Sequence, residues 1–308
     1  MKQKLCISFS GGKTSGFMTT KLLENYSDKY EFLITFANTG EENEETLEFV
    51  NNCDKYWQER FGQSVVWLES VTHMEHGKGQ THKVVSFETA SRNGEPYRQL
   101  VAKEGIPNAA QPRCSERLKQ KCMDHYRKQH GWTKAETAIG IRTDESGRRS
   151  AYGEKEFNLV YPLLDWFPSD KQDVNDFWES MPFNLELEEH EGNCKVCWKK
   201  SDNKLFLIAK ETPERFDVFK QIESDFSETK PNDEKQDLFG THTLPRRFYR
   251  GYRATEHFLN GCRTMDTATL RKLINAQPDE SSGCGESCEP YQKPVQFDIE
   301  QMIDVKQV

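Results

Sequence analysis

In the first half of the chain, short apolar runs alternate with longer amphipathic stretches. KLCISFS (4–10) reads as a first strand and KTSGFMTTKLLENY (13–26) as the helix that follows it. EFLITFANT (31–39) predicts a second strand, EENEETLEFVNNCDKYWQERF (41–61) a long amphipathic helix, and SVVWLE (64–69) a third strand. The polar stretch from Thr72 to Gln111 contains glycines and predicts an irregular loop over the sheet. CSERLKQKCMDHYRKQHG (114–131) reads as a helix, ETAIGIR (136–142) as a strand, and LVYPLLDW (159–166) as a further strand or extended segment. Short strands joined by helices predict an α/β fold with a right-handed, doubly wound, mostly parallel sheet, whose ligands bind at the carboxyl ends of the strands.

Past residue 168 the pattern changes. The acidic FNLELEEHEG (183–192) leads into CKVCWKK (194–200) and a helix, KLFLIAKETPERFDVFKQI (204–222). A charged, loop-like segment precedes LPRRFYRGYRATEHFL (244–259), and the tail carries SSGCGESCEPY (281–291). We place the boundary near residue 180. Residues 1–180 then form an α/β domain, and 181–308 a cysteine-bearing, mainly helical region with a flexible tail. The 308 residues are 35% hydrophobic and 30% charged, enough apolar material for a buried core. The formal net charge of -8 argues against a general nucleic-acid coat but leaves room for a local basic groove. No run approaches the roughly 18 apolar residues of a membrane span, and MKQKLCISFSGG turns polar too early for a signal peptide. A cytoplasmic protein without membrane contact is expected. Nine cysteines in that setting point to thiol chemistry or metal ligation rather than disulfides, although Cys6 and Cys53 read as packing residues.

SFSGGKTSG (8–16) lies between the first strand and the first helix. It fails the Walker A pattern, because Ile7 stands where that pattern needs its first glycine. It also fails GxGxxG, because Gly11 and Gly12 are adjacent. Adjacent glycines still let backbone N–H groups turn toward an anion, the helix adds its positive end, and Ser8, Ser10, Thr14 and Ser15 add hydroxyl groups. In AIGIRTDESGRRS (138–150), Arg142, Arg148 and Arg149 are candidate phosphate clamps, and Asp144 and Glu145 are candidates to orient them or hold a metal. Cys194 and Cys197 have the spacing of a metal or redox pair, and Cys194 lies eighty residues downstream of Cys114. Arg246, Arg247, Arg250 and Arg253 interleave with Phe248, Tyr249 and Tyr252, a composition suited either to a nucleic-acid surface or to arginines paired with acids. Lys119, Lys121, Arg127 and Lys128 read as a second basic patch.

These segments together resemble the PP-loop ATP-pyrophosphatase superfamily, and within it the 3′-phosphoadenosine-5′-phosphosulfate (PAPS) reductase family. SFSGGKTSG resembles its SGGxDS loop, FANTGEENEETLEFV its second-strand segment, and PRCSERLK its cysteine-bearing helix. AIGIRTDESGRRS resembles its G-I-R-x-D-E-S-x-R-R segment and YPLLDW its Y-P-L-x-D-W. The order holds over residues 5–200.

The resemblance implies an adenine nucleotide alpha-hydrolase-like fold and a grip on the α/β-pyrophosphate of ATP. It implies AMP and pyrophosphate as products, an adenylated acceptor, and cluster-assisted sulfur transfer to that acceptor, a thiolation of nucleic acid or of a small oxyanion. It assigns nucleotide binding to Ser8, Ser10, Gly11, Gly12, Lys13, Thr14, Ser15, Asn38, Thr39, Gly40, Gly140, Arg142, Asp144 and Glu145, and catalysis to Arg142 and Lys13. Mg²⁺ would accompany the ATP. Cys114, Cys194 and Cys197 would hold a [4Fe–4S] cluster or Zn²⁺, with Cys288 as fourth ligand, Cys122, Cys262 or Cys284 as alternatives, or no fourth ligand and an iron left open to bind sulfide. A sulfur-donor protein or small thiol reductant would be the partner. The rival enzyme reading is reduction of PAPS or adenylyl sulfate by a nucleophilic Cys284 or Cys288, and the non-enzymatic one is a nucleotide-sensing subunit. Two departures stand out: Thr14 occupies the place of the loop aspartate, and Ser115 that of the second cysteine beside Cys114.

Overall fold

A computed structural model of the chain describes residues 2–109, 111–188, 190–192, 194–229, 234–237, 240–243, 245–276 and 291. By internal contacts the chain divides into two compact units. The first takes residues 2–96 and 115–194 together with Tyr291, and the second takes 97–114 and 195–276.

The first unit is an α/β structure around a six-stranded sheet. It opens with β1 (Gln3–Ser8), α1 (Lys13–Tyr26), β2 (Tyr30–Asn38), α2 (Glu44–Phe61) and β3 (Val65–Thr72), close to the predicted order. Acidic Glu44 and Glu45 start α2 at the positive end of its dipole, and Arg60 lies in its last turn. Gly62 then stops the helix in the left-handed region at φ +65°, its N–H bonded back to Gln58 O.

Two predicted segments of this unit are corrected. The stretch after Thr72 is not an irregular loop throughout, because it holds β4 (Gln80–Val85) and then α3 (Glu95–Glu104), on which the chain passes into the second unit. Back in the first unit, Ser115–Gln120 forms a π-helical turn running into α4 (Lys121–Gln129). β5 (Glu136–Ala138) is followed by a 3₁₀ turn at Thr143–Arg148 and α5 (Ala151–Phe157). LVYPLLDW gives only the two-residue strand β6 (Leu159–Val160) before α6 (Pro162–Asp165), because Pro162 favours the first turn of a helix. α7 (Lys171–Ser180) closes the series behind a capping box of Asp170 and Asp173.

The strand order is β4-β3-β2-β1-β5-β6, parallel except for β4. Side chains alternate across a strand. Leu5, Ile7, Ile34, Phe36 and Trp67 thus enter one core with Phe49 of α2, Met18 of α1 and Trp178 of α7. Cys6 and Leu33 pack on Trp132 and Ala135, while Ala37 and Leu68 pack on Cys122 and Met123 of α4. Both faces of the sheet are therefore covered with apolar material.

The second unit carries α8 (Asp202–Glu211), a 3₁₀ turn at Pro213–Phe216, α9 (Asp217–Phe226), the antiparallel strands β7 (Glu234–Asp237) and β8 (Gly240–Thr243), α10 (Thr255–Gly261) and α11 (Thr267–Ala276). The single helix predicted over 204–222 breaks at Pro213, which has no N–H to continue α8. No helix among the described residues is long and apolar enough to cross a membrane.

Candidate functional site

β1 ends at Ser8, and the Phe9 N–H still bonds Thr35 O at 2.9 Å before the chain turns. Gly11 takes φ +82°, and a Cβ there would lie 2.8 Å from Thr46 Cγ2 and 3.1 Å from Val50 Cγ2. Both its backbone angle and its space thus require glycine. Gly12 precedes α1 without a side-chain cap, and the first turn of α1 carries no acid. The helix therefore offers uncapped N–H groups and an unneutralised positive end. Half-buried Lys13 makes no hydrogen bond or ion pair through its ammonium among the described residues. The Trp178 indole N–H donates to Lys13 O at 2.8 Å and fixes this turn from α7.

The loop hydroxyls have distinct partners. Ser15 Oγ donates its proton to Gly12 O at 3.0 Å and accepts from the Ser10 N–H at 3.3 Å. It lies 2.9 Å from Ser10 Oγ, which must then donate to it. These two serines close the loop on itself. Thr14 Oγ1 instead accepts a hydrogen bond from Arg142 Nη1 at 3.0 Å.

Arg142 reaches Thr14 because the chain after β5 runs directly against the loop. A Cβ on Gly140 would lie 3.3 Å from Ser15 Cα and 3.4 Å from Ser15 N. Arg142 is only 4% exposed, and its Nε and Nη2 are already bonded to the Asp144 carboxylate at 3.0–3.3 Å. Burial raises the Asp144 pKa, but the Arg142 guanidinium outweighs it and holds the group below its ordinary value. Glu145 pairs with Arg148 at 2.5 Å and lies 3.6 Å from Arg142 Nη2. Arg149 turns elsewhere, to Glu154 and Asp165.

At the carboxyl end of β2, Asn38 and Thr39 are buried and their side chains are committed internally. Asn38 donates to Glu69 at 2.6 Å and to Ser91 O at 2.9 Å, and accepts from the Gly40 N–H at 3.1 Å. Glu42 accepts from the Thr39 N–H at 2.8 Å and from its hydroxyl, and faces Lys119 at 3.5 Å. Gly40, at φ +81°, packs against Gly94 so closely that a Cβ would meet its backbone at 3.0 Å. Sequence reading missed Glu69, Ser91, Glu42 and Gly94. The one available signal was Glu69, a carboxylate inside an otherwise buried strand.

Cys194 pairs through its backbone with Glu42, and Asn43 bonds Gly192 O at 2.9 Å, so the start of the C-x-x-C segment lies at this same edge. Cys114 and Cys197 belong to the second unit, both buried. No group of three or more His, Cys, Asp or Glu side chains able to hold a metal occurs among the described residues. Cys122 packs in the apolar core and burial pushes its thiol up to about 12, while Cys262 donates to Leu259 O. Cys6, pushed up to about 11 by burial, and Cys53 are core residues. Cys284 and Cys288 lie outside the described residues.

The two basic patches are corrected. Lys119 is buried against Glu42, and the Arg127 guanidinium is interior, bonded to Thr137 Oγ1 and Ala135 O. In the arginine–aromatic strip, Phe248 and Tyr249 are fully buried, Phe248 stacking on Phe219 with centroids 4.2 Å apart and Tyr249 meeting Phe258 edge-on. Neither ring can stack on a base. The strip instead holds the chain around Cys197: Tyr249 donates to Val196 O, and Arg250 donates to Trp198 O, Lys200 O and Asp202. Arg253 pairs with Asp202 too, and Tyr252 is exposed.

No protein-family model matches the chain. It is similar to the "Uncharacterized nin region protein ORF290" of Escherichia phage lambda, at 26% identity over 307 residues, covering 95% of this chain and 97% of that protein.

Proposed function

We propose that the chain is a PP-loop, PAPS reductase-like enzyme that binds ATP and cleaves it between the α- and β-phosphates. The acceptor's oxygen bonds the α-phosphorus, pyrophosphate leaves, and the adenylated acceptor becomes open to displacement of AMP by sulfide sulfur. The observation that carries this reading is the convergence of two anion-directed segments. The uncapped turn 10–15 and the Arg142 segment meet where Gly140 packs on Ser15, at the carboxyl ends of β1 and β5. β1 has β2 on one side and β5 on the other, so chain direction through the sheet reverses there, as at the ligand crevice of a doubly wound sheet.

In this reading the N–H groups of residues 11–15 and the Lys13 ammonium hold the pyrophosphate, lowering the barrier as charge builds on the leaving group. The turn at Asn38–Gly40 gives the nucleotide pocket a wall rather than hydrogen bonds, since the Asn38 and Thr39 side chains and the Thr39 and Gly40 N–H groups are engaged inward. Asp144, ionised beside Arg142, fits the single carboxylate that a phosphate-bound Mg²⁺ needs, and the metal would neutralise pyrophosphate charge. A cluster on Cys114, Cys194 and Cys197 rests on the sequence alone, on the C-x-x-C pair and its spacing from Cys114.

The test is an anaerobic incubation of the full chain with ATP and sulfide, following nucleotides and pyrophosphate, with iron, sulfide and zinc analysis of the same preparation. AMP and pyrophosphate are expected. ADP with phosphate, or no nucleotide binding, would overturn the reading, and sulfite release from PAPS would move the chain to the reductases.

A further inference from the structure

Resting on the nucleotide reading above, we infer that Arg142 acts on the bound phosphate through Thr14, as a positioning residue, and that Thr14 is the loop's hydroxyl donor to the anion. The guanidinium's paired edge cannot clamp a phosphate while Asp144 occupies Nε and Nη2. Its Nη1 points instead to Thr14 Oγ1. A hydroxyl oxygen that accepts from a cation has its proton left to give, and the bond it receives makes it a better donor.

Thr14 is 7% exposed, and among the described residues its proton has no acceptor. A buried donor of this kind calls for an acceptor oxygen from outside the protein. Ser10 and Ser15 cannot serve: Ser15 spends its proton on Gly12 O, and Ser10 spends its own on Ser15. Of the three hydroxyls at 10, 14 and 15, Thr14 is therefore the donor. The serines keep the backbone curled so that the N–H groups of the turn and Lys13 surround the same anion. A threonine here differs from an acid in kind, because it adds a donor where a carboxylate would repel phosphate oxygens.

Titration calorimetry of the full-length chain with inorganic pyrophosphate, and separately with ATP, tests this. Thr14→Val keeps the shape and removes the hydroxyl, and should weaken pyrophosphate binding about tenfold to a hundredfold. Thr14→Ser should restore binding to near the wild-type value. Arg142→Gln should weaken binding similarly, and the Thr14→Val, Arg142→Gln double variant should bind no more weakly than the weaker single variant, because both remove one contact. Should Arg142→Gln fail to fold with Asp144 left bare, Arg142→Gln with Asp144→Asn replaces it in the cycle.

Thr14→Val binding like wild type would overturn the donor role. Additive losses in the cycle would overturn the relay and place Arg142 on the phosphate itself. Wild-type protein that binds neither pyrophosphate nor ATP would remove the nucleotide reading and this inference with it, an outcome distinct from either of the others.

Discussion

Gly11→Ala separates two demands made on the turn after β1. Gly11 stands at φ +82°, where a Cβ strains the backbone by about 1–2 kcal/mol. It also faces Thr46 Cγ2 at 2.8 Å, Val50 Cγ2 at 3.1 Å and Phe36 Cε2 at 3.2 Å, all buried side chains. Overpacking such a contact costs about 1–3 kcal/mol. The two effects sum to a loss of about 2–5 kcal/mol. Gly62 is the internal control, because it has φ +65° with nothing within 4 Å of a built Cβ, and Gly62→Ala should lose only the strain, about 1–2 kcal/mol. Urea unfolding followed by far-ultraviolet circular dichroism reads both variants. Because Thr46 Cγ2 is the nearest atom, Thr46→Ser placed on Gly11→Ala should recover part of the loss. Equal destabilisation by Gly11→Ala and Gly62→Ala, or no recovery with Thr46→Ser, would refute the packing argument.

His82 Nδ1 lies 2.8 Å from His125 Nδ1, joining β4 to α4 through a bond that one proton serves. Burial, then the charges of His125 and His130, lower the His82 pKa from 6.5, while the Tyr126 ring packs on its imidazole. A depressed histidine contributes stability that is present above 6.5 and lost as pH falls from there toward the folded pKa. The slope of stability against pH in that window should flatten in His82→Gln; an unchanged slope removes the argument. Glu69→Gln replaces a carboxylate that holds the Asn38 amide, the Ser91 N–H and Lys83, and should lose about 1–3 kcal/mol in chemical denaturation. Arg250→Ala frees the carbonyls of Trp198 and Lys200, so buried Cys197 should be alkylated several-fold faster, as read by peptide mass spectrometry. Unchanged labelling would mean that the turn holds without Arg250.

The features legible in the sequence are those written within a few residues. The turn 8–16 announced itself through adjacent glycines between an apolar run and a helix, and the structure gives that strand, turn and helix in place. The arginine segment was legible for the same reason. What stayed hidden depends on partners far along the chain. Asn38 read as pocket lining, yet Glu69 and Ser91 take its amide from 31 and 53 residues away. Lys119 read as surface charge, yet it faces buried Glu42.

The arginine–aromatic strip shows why composition alone misleads. Its residue types suit a base-stacking surface and a set of arginines paired with acids equally well, and only burial and bonding partners tell them apart. Phe248 and Tyr249 are inside, so their rings build the second unit's core, and the neighbouring arginine spends its donors on carbonyls. Those carbonyls belong to the turn that follows Cys197, and Tyr249 donates to Val196 just before it. The strip and the segment around Cys197, which looked like separate signals, are therefore one piece of the second unit. A guanidinium bonded to two carbonyls fixes a turn's backbone more firmly than apolar packing would, because each bond is directional and charge-assisted. The backbone on either side of Cys197 is thus bonded by Tyr249 and Arg250, residues more than fifty positions further along the chain.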